Sequence, residues 1–330
     1  MSLSSDTTRR KLLGAAAGIA IPAALASPPT LANEPMRRRI ICPFAPGGIS
    51  DRLSRVVAAE AQSRTGETWI VENIGGGGGL IGSARAARNA PDGRTLVLGS
   101  AGLFRTQGGR AGSEADFDPL RDLRAVALIG LMPIICVTHP TVTVPTIRSY
   151  TDHLRATGTP FVYATTGHAS TSHVSGAIIA QQSRLEGVHV PYAGSVPAVS
   201  AVLAGHVPCA LVDPMPVVPL LAAGTLRAIG ISSSPRHPRL ADIATFGEQG
   251  FEKADLTSWL GFLVPAATPT AIASALSHLL GEVAQSEAVR IVLDAGFING
   301  PSVLGDAAQA HVTDDALTVQ RMMSDTGIAF

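Results

Sequence analysis

The chain has 330 residues, in which 25 Lys and Arg balance 25 Asp and Glu, so the formal net charge is zero. This length suffices for two ordinary domains with cores of their own. Without an excess of basic residues, nothing in the composition favours binding to a nucleic acid or to an anionic membrane surface.

The N-terminus has the order of an export signal. Arg9 and Arg10 precede an apolar run, 12–26, which is shorter than the roughly 20 residues that a membrane span needs. The paired arginines indicate the twin-arginine route. We predict that residues 1–32 form a cleaved signal peptide, with cleavage after Ala32 favoured over Ala26. Cleavage removes three basic residues and one acidic residue, so the mature chain has 22 basic and 24 acidic residues and a formal net charge of −2. We expect the mature protein in the periplasm.

The segment 43–51, Pro-Phe-Ala-Pro-Gly-Gly-Ile-Ser-Asp, joins an apolar strand-like run to an amphipathic helical pattern, and we call it the first loop. Gly47 and Gly48 allow the backbone to turn sharply and to approach a ligand closely. Ser50 or Asp51 can cap the helix that follows. Free N–H groups at a helix start bind a carboxylate or phosphate without a cationic side chain. The first loop therefore predicts anion capture by the backbone.

Short apolar runs alternate with helical patterns along the chain, which predicts an α/β protein with mainly parallel sheets. Strands are predicted at 69–72, 95–98, 124–129, 133–138, 161–164, 188–191, 209–212 and 226–231. Helices are predicted at 83–89, 147–156, 171–183, 197–205 and 217–223. From Thr268 onward the chain is predicted to be purely helical. The apolar segments 132–138 and 257–265 are candidates for strands that cross between two lobes.

Several short motifs occur in a fixed order. They lie at 43–51, 71–82, 90–96, 117–123, 190–194 and 220–229, and the second carries Val-Glu-Asn before a glycine-rich turn. As an ordered set they resemble the substrate-binding proteins of tripartite tricarboxylate transporters, often called the Bug family, over nearly all of the mature chain.

That resemblance implies a type II periplasmic-binding-protein fold, with two α/β lobes and a cleft between them. We expect the first lobe to be discontinuous, with residues 33–133 plus 260–330, and the second lobe to hold residues 134–259. The resemblance also implies that the protein is not an enzyme. It is expected to be a monomer that binds a small organic carboxylate and works with the integral-membrane subunits of a tripartite tricarboxylate-type transporter.

In the family, the first loop and a second loop, here 165–171, grip a carboxylate, partly through ordered water. The predicted ligand-binding residues are Phe44, Pro46, Gly47, Gly48, Ser50, Asp51, Thr165, Thr166, Gly167, His168, Ala169, Ser170, Thr171, Tyr192, Gly194 and Asp213. His168 departs from the small residues usual at its position, and a protonated imidazole could pair with a second carboxylate. Asp213 either accepts a hydrogen bond from a ligand amine or hydroxyl or caps the helix after Pro214. Phe44, Tyr192 and Trp259 either form an apolar wall or belong to the core.

The glycine-rich loop, 75–79, is open to a dinucleotide interpretation, with Asp92 as the acidic partner. The export signal argues against it, and a structural turn at the cleft rim is favoured. We predict no cofactor and no metal, because His168 and His173 have no third ligand near them in sequence and the three cysteines are widely spaced. The cysteines are predicted to be buried thiols, with one disulfide left open. Asp314 and Asp315 are predicted to lie on a solvated helix face.

The sequence thus predicts an extracytoplasmic receptor that captures a di- or tricarboxylate, an aromatic carboxylate or an amino acid for a transporter. Two alternatives stay open. The receptor could present its bound carboxylate to a sensor kinase, or the chain could be an exported cofactor-dependent enzyme that uses the glycine-rich loop.

Overall fold

The computed structural model describes residues 36–105, 116–168, 170–233 and 235–326. The predicted signal peptide and Ala169 lie outside the described residues. Two sheets organise the rest. The first has the strand order β11-β4-β10-β3-β1-β2, with β1 (Arg37–Cys42), β2 (Thr68–Asn73), β3 (Thr95–Ser100), β4 (Leu123–Met132), β10 (Ser258–Pro265) and β11 (Val303–Leu304). The second has the order β7-β6-β8-β5-β9, with β5 (Ile135–Thr138), β6 (Phe161–Thr165), β7 (Gly187–Pro191), β8 (Cys209–Val212) and β9 (Arg227–Ile231).

Helices connect the strands and cover the sheets. They are α1 (Ile49–Thr65), α2 (Leu80–Ala87), α3 (Ala101–Arg105), α4 (Pro119–Asp122), α5 (Ile147–Thr157), α6 (Thr171–Gln182), α7 (Ser195–Leu203), α8 (Val218–Ala222), α9 (Thr270–Ala284), α10 (Glu287–Ala295) and α11 (Gly305–Thr326). The predicted strands and helices are found at these places, with ends shifted by a few residues. No helix in the described ranges combines the length and apolarity needed to cross a bilayer.

Most strands in each sheet share one direction, as the prediction of mainly parallel sheets requires: β1, β2, β3 and β4 in the first sheet and β6, β7, β8 and β9 in the second. The exceptions are β10 and β11 in the first sheet and β5 in the second. In the first sheet β1 runs parallel to β2 and β3, whereas β10 runs antiparallel to β3 and β4. In the second, β6 runs parallel to β7 and β8, whereas β5 runs antiparallel to β8 and β9. β5 and β10 are the strands that follow a passage of the chain from one sheet to the other. Each therefore enters its sheet without the crossover helix that makes neighbours parallel.

The expectation of a purely helical C-terminal part is wrong. The short strand β11 pairs antiparallel with β4, Val303 opposite Leu128 and Leu304 opposite Ala127. Two residues are too few for a period-two pattern to be visible in the sequence.

Helices cover both faces of each sheet, which explains why the central strands β3, β5, β8 and β10 are buried along almost their whole length rather than on alternate residues. Ile40 of β1 packs in one cluster with Leu53 and Val57 of α1, and the next residue, Ile41, packs in another cluster with Ala84 of α2. The second sheet is built in the same way. The three cysteines are buried free thiols, as expected for unreactive core positions, and burial raises the pKa of the Cys42 thiol.

The chain passes between the sheets at two places. Met132 ends β4 in the first sheet and Ile135 begins β5 in the second, so Pro133 and Ile134 make the first passage. The return leads from Ile231 at the end of β9 to Ser258 at the start of β10. Assignment of the two lobes to 33–133 plus 260–330 and to 134–259 stays a prediction.

A buried ion pair lies where the returning passage meets the last helix. The Arg105 side chain is only 4% exposed, and it donates to Asp315 of α11 at 2.6 and 2.9 Å. It also donates to the Thr257 carbonyl at 2.9 Å and lies 3.5 Å from the Thr171 hydroxyl. The Trp259 indole donates to the same Asp315 carboxylate at 3.1 Å. The prediction of a solvated face is therefore wrong for Asp315, because α11 turns it inward toward Arg105.

We predict that Asp315→Asn lowers the free energy of unfolding by about 3 kcal/mol, because it leaves the Arg105 guanidinium buried without a counter-ion. Denaturant unfolding followed by circular dichroism measures the change. Asp314→Asn is the matched control, since Asp314 is exposed on the same helix and should change stability by no more than about 0.5 kcal/mol. Equal effects of the two variants would show that the buried pair does not contribute.

Candidate functional site

A cavity of about 770 Å³ lies where strands of the two sheets end. The first sheet contributes loops that follow β1, β2 and β3, and the second contributes loops that follow β6, β7 and β8. The corresponding lining segments are 43–50, 75–79, Ser100, 166–168, 170–172, 191–197 and Asp213. Because carboxyl ends of parallel strands lie at one edge of a sheet, these loops converge on a single space, the usual place for a ligand in an α/β protein.

The first loop turns at Gly47, whose φ of +87° favours glycine. Gly48 follows as the N-cap of α1, with φ −73°, ψ 174° and no side-chain cap. Ser50 and Asp51 lie inside α1, so the prediction that one of them caps the helix is wrong. The first N–H groups of a helix have no partner within it. Without a side-chain cap, those of α1 are available at the cavity wall.

Asp51 holds the first loop from behind and does not line the cavity. Its carboxylate accepts from the Gly47 N–H at 2.9 Å, from the Asn73 amide at 2.9 Å and from Arg55 at 2.9 Å. Burial acts to raise the pKa of Asp51, but the hydrogen bonds from Arg55, Gly47 and Asn73 outweigh it and hold that pKa below its usual value. Asp51 is therefore an ionised positioning residue whose charge is balanced by Arg55.

The second loop is closed by its own hydroxyl groups. The Ser170 hydroxyl caps α6 by accepting from the His173 N–H at 3.3 Å, and it donates to the Gly167 carbonyl at 2.7 Å. Thr166, Gly167, His168, Ser170 and Thr171 line the cavity, as do Phe44, Pro46, Gly47, Gly48, Ser50, Tyr192, Gly194 and Asp213. Thr165 does not: it is buried, with its hydroxyl 2.6 Å from His189 Nε2.

A third helix start, which the sequence did not single out, also reaches the cavity. α7 begins at Ser195 after Gly194, which has φ +112° and gives no side-chain cap. The Ser195 hydroxyl donates to Asp213 Oδ2 at 2.7 Å and accepts from the Asp213 N–H at 3.1 Å. Burial raises the pKa of Asp213, and the hydrogen bond from Ser195 opposes that rise. Asp213 does not cap the helix after Pro214, because α8 begins at Val218 with no side-chain cap.

Three histidines lie together beside the second loop. β7 brings His189 next to the second loop, and its ring stacks on His173 with centroids 3.5 Å apart, while His168 lies 5.1 Å from His173. Burial lowers the pKa of His173 to about 2 and that of His189 to about 4, so both rings are neutral at pH 7. In the described part of the chain, no group of three or more His, Cys, Asp or Glu is arranged to hold a metal ion.

The glycine-rich loop contacts the second loop across the cavity. A Cβ on Gly78 would lie 2.4 Å from the His168 carbonyl oxygen, and one on Gly167 would lie 4.0 Å from the Gly78 Cα. Only a residue without a side chain permits this approach. The loop thus closes one side of the cavity, which agrees with its expected place at the cleft rim.

Some lining residues were missed from sequence. Ser100 and Ser172 are polar examples, and Met132, Met215 and Leu260 add apolar surface. Ser100 is the last residue of β3, and its position at the carboxyl end of a predicted strand could have indicated that it lines the cavity. Trp259 is wholly buried and packs on Phe104 with ring centroids 5.1 Å apart. It is a core residue and not a cavity wall.

Residues 53–322 match the family described as tripartite tricarboxylate transporter family receptor, TctC. Among curated proteins, BugT of Bordetella pertussis is 28% identical over 313 residues, which cover 95% of this chain and 94% of the relative. A UPF0065 protein from the tcbD-tcbE intergenic region of a Pseudomonas species is 29% identical over 81% of this chain and 80% of the relative.

Solved structures agree. An R. palustris protein with adipate superposes with a TM-score of 0.79 at 25% identity, covering 89% of this chain and 98% of its own. A periplasmic transporter superposes with a TM-score of 0.76 at 26% identity and with the same coverage. The periplasmic binding protein BugD gives 0.77 at 23% identity, again over 89% and 98%, which shows a shared fold. With the family match over most of its length, this chain belongs to the tripartite tricarboxylate transporter family receptors, the Bug family, whose members bind substrates and are not enzymes.

Proposed function

We propose that the protein is a periplasmic receptor that captures a small organic carboxylate and delivers it to the integral-membrane subunits of a tripartite tricarboxylate-type transporter. The observation that carries this proposal is the start of α1, which has no side-chain cap and forms part of the cavity wall. The R. palustris protein solved with adipate supports a carboxylate as the ligand class.

A carboxylate suits this helix start for physical reasons. The N–H groups of the first turn carry a partial positive charge, and a helix of 17 residues aligns its peptide dipoles behind them. Asp51 lies in that turn, but Arg55 pairs with it and balances its charge. The helix start therefore keeps its attraction for an anion, and no cationic side chain is needed.

Closure of the two lobes would convert binding into a signal for the membrane partner. A ligand that touches the first loop from one side and the second loop from the other stabilises the closed form. We expect such closure to bring Gly78 of the glycine-rich loop against the His168 carbonyl of the second loop, where the structure has them in close approach. In this proposal residues 1–32 are removed as a twin-arginine signal peptide, and the mature protein acts as a monomer.

We predict that Gly48→Val weakens carboxylate binding at least about tenfold while the fold is kept. A Cβ at Gly48 meets only the Ala45 carbonyl oxygen, at 3.9 Å, so the side chain fits the protein and intrudes on the ligand. The less favourable N-cap costs about 1 kcal/mol of stability. Titration calorimetry of the purified protein against a panel of carboxylates, with the matching amides as controls, measures the effect. Wild-type affinity in Gly48→Val, or binding of amides as tightly as acids, would contradict backbone capture.

We also predict that Gly78→Ala weakens ligand binding at least about tenfold, because its methyl group meets the His168 carbonyl and opposes closure. Gly158→Ala is the matched control. Gly78 has φ 65° and ψ 23°, and Gly158 has φ 65° and ψ 24°, but a Cβ added to Gly158 would have no atom within 4 Å. Both variants carry the same backbone strain, of about 1 kcal/mol. Calorimetry should show the weaker binding in Gly78→Ala and wild-type affinity in Gly158→Ala. The ligand-induced change in radius of gyration should be lost in Gly78→Ala and kept in Gly158→Ala.

A further inference from the structure

Charge is unevenly distributed around the cavity. Among the described residues that line it, none is Lys or Arg, and Asp213 is the one acidic residue. The wall formed by the second sheet therefore carries a carboxylate without a cationic partner at the cavity. A ligand that fills the cavity must meet that carboxylate with something other than a second negative charge, since like charges in contact are strongly unfavourable.

The carboxylate of Asp213 keeps capacity to accept hydrogen bonds. Its Oδ2 accepts from the Ser195 hydroxyl, whose oxygen accepts in turn from the Asp213 N–H. Its Oδ1 accepts no hydrogen bond from the described residues. Because burial disfavours the charged form and raises the pKa of this group, a donor supplied by the ligand would stabilise it.

The helices α1, α6 and α7 begin at the cavity and are not equivalent as anion sites. α2 also begins there, after Gly79, but its first N–H groups donate to the Gly77 and Gly76 carbonyls. Ser170 already caps α6. At α7 the Asp213 carboxylate lies against Ser195, the first residue of the helix, and would repel a second acid there. Of these three, α1 alone combines the lack of a side-chain cap with an acid, Asp51, that is turned away and paired with Arg55. The cavity thus favours a negative group at one end and a hydrogen-bond donor at the other.

We propose that Asp213 and Ser195 form a second subsite that takes a hydrogen-bond donor of the ligand, an ammonium or a hydroxyl group, so that the preferred ligand is an amino or hydroxy monocarboxylate and not a dicarboxylate. This inference rests on the proposed function, because it presumes that α1 holds the ligand carboxylate. Adipate, present in the similar R. palustris structure, is then a poor ligand here. Asp213 and Ser195 set specificity, and the first loop sets affinity for the shared carboxylate.

The test is titration calorimetry of the purified protein with straight-chain acids of several lengths. At each length the far end is a methyl, hydroxyl, ammonium or second carboxylate group. We expect the hydroxyl- or ammonium-ended acid to bind about tenfold or more tightly than the methyl-ended and diacid members. Comparison of the ammonium-ended with the hydroxyl-ended acids shows which of the two donor groups the subsite prefers.

Asp213→Asn should lower affinity for the ammonium-ended acid about tenfold or more and raise affinity for the diacid, with the methyl-ended acid unchanged. Ser195→Ala keeps the carboxylate and should lower affinity for donor-ended acids less. Asp255→Asn is the matched control. Asp255 is another half-buried residue whose carboxyl pKa is raised by burial, but it does not line the cavity, so its loss should leave the ligand ranking unchanged.

A wild-type protein that binds the diacid as tightly as the donor-ended acids overturns the inference, and it would indicate that His168 takes the second carboxylate. An unchanged ranking in a folded Asp213→Asn also overturns it. If Asp213→Asn does not fold, the wild-type ranking and Ser195→Ala decide. In each of these cases tight binding of acids and not of amides leaves the proposed function standing. Absence of binding by every acid rejects both.

Discussion

The site depends first on the way Asp51 fixes the first loop. One carboxylate accepts from the backbone of Gly47, from the amide of Asn73 and from Arg55, and Asn73 also donates to the Phe44 carbonyl at 3.2 Å. These bonds join β2, the loop and α1 into one rigid unit. They also direct the acid away from the cavity, which leaves the helix start free for an anion. Preorganisation of this kind lowers the ordering cost of binding a small ligand.

The second constraint is mechanical, because two sheets must stay joined around the cavity between their loops. α11 serves both sheets: Ala308, Val312 and Ala316 pack in a cluster of the first, and Val319 and Met323 pack in a cluster of the second. Arg105 adds polar contacts from α3 to α11, to the returning chain at Thr257 and to the start of α6 at Thr171. A buried guanidinium with several partners favours one arrangement of these elements over others, since any alternative leaves it unpaired.

The helix starts make the two ends of the cavity electrostatically different, which the composition of its lining does not show. The family resemblance predicted two loops that grip a carboxylate from both sides. In the structure the helix of the second loop is capped by Ser170, and the other uncapped start, at α7, lies beside Asp213. In our proposal the first loop holds the ligand carboxylate, and Asp213 and Ser195 at the start of α7 set the choice among acids.

Much of the local structure followed from the sequence. Apolar runs and helical periodicity located the strands and helices, because burial on both faces of a sheet demands continuous apolar residues. The Pro-Gly-Gly loop before an amphipathic helix predicted the anion site that we propose, since its chemistry resides in backbone groups that neighbours in sequence provide. The reversed direction of two strands did not follow. β5 and β10 run antiparallel to their partners because of the path of the chain between sheets, and no local pattern records that path.

The sequence by itself determined what depends on neighbouring residues: the elements, the first loop and the family. Tertiary structure alone decided what depends on residues far apart in the chain. Asp315 proved to be the counter-ion of Arg105, 210 positions away, although its sequence neighbours suggested a solvated face. His189 joined His168 and His173, Ser195 joined Asp213, and Gly78 met His168, each through the arrangement of separate strands. Such pairs form only when the sheets bring their loops to one edge, because local propensity carries no information about which distant side chain will share a buried site.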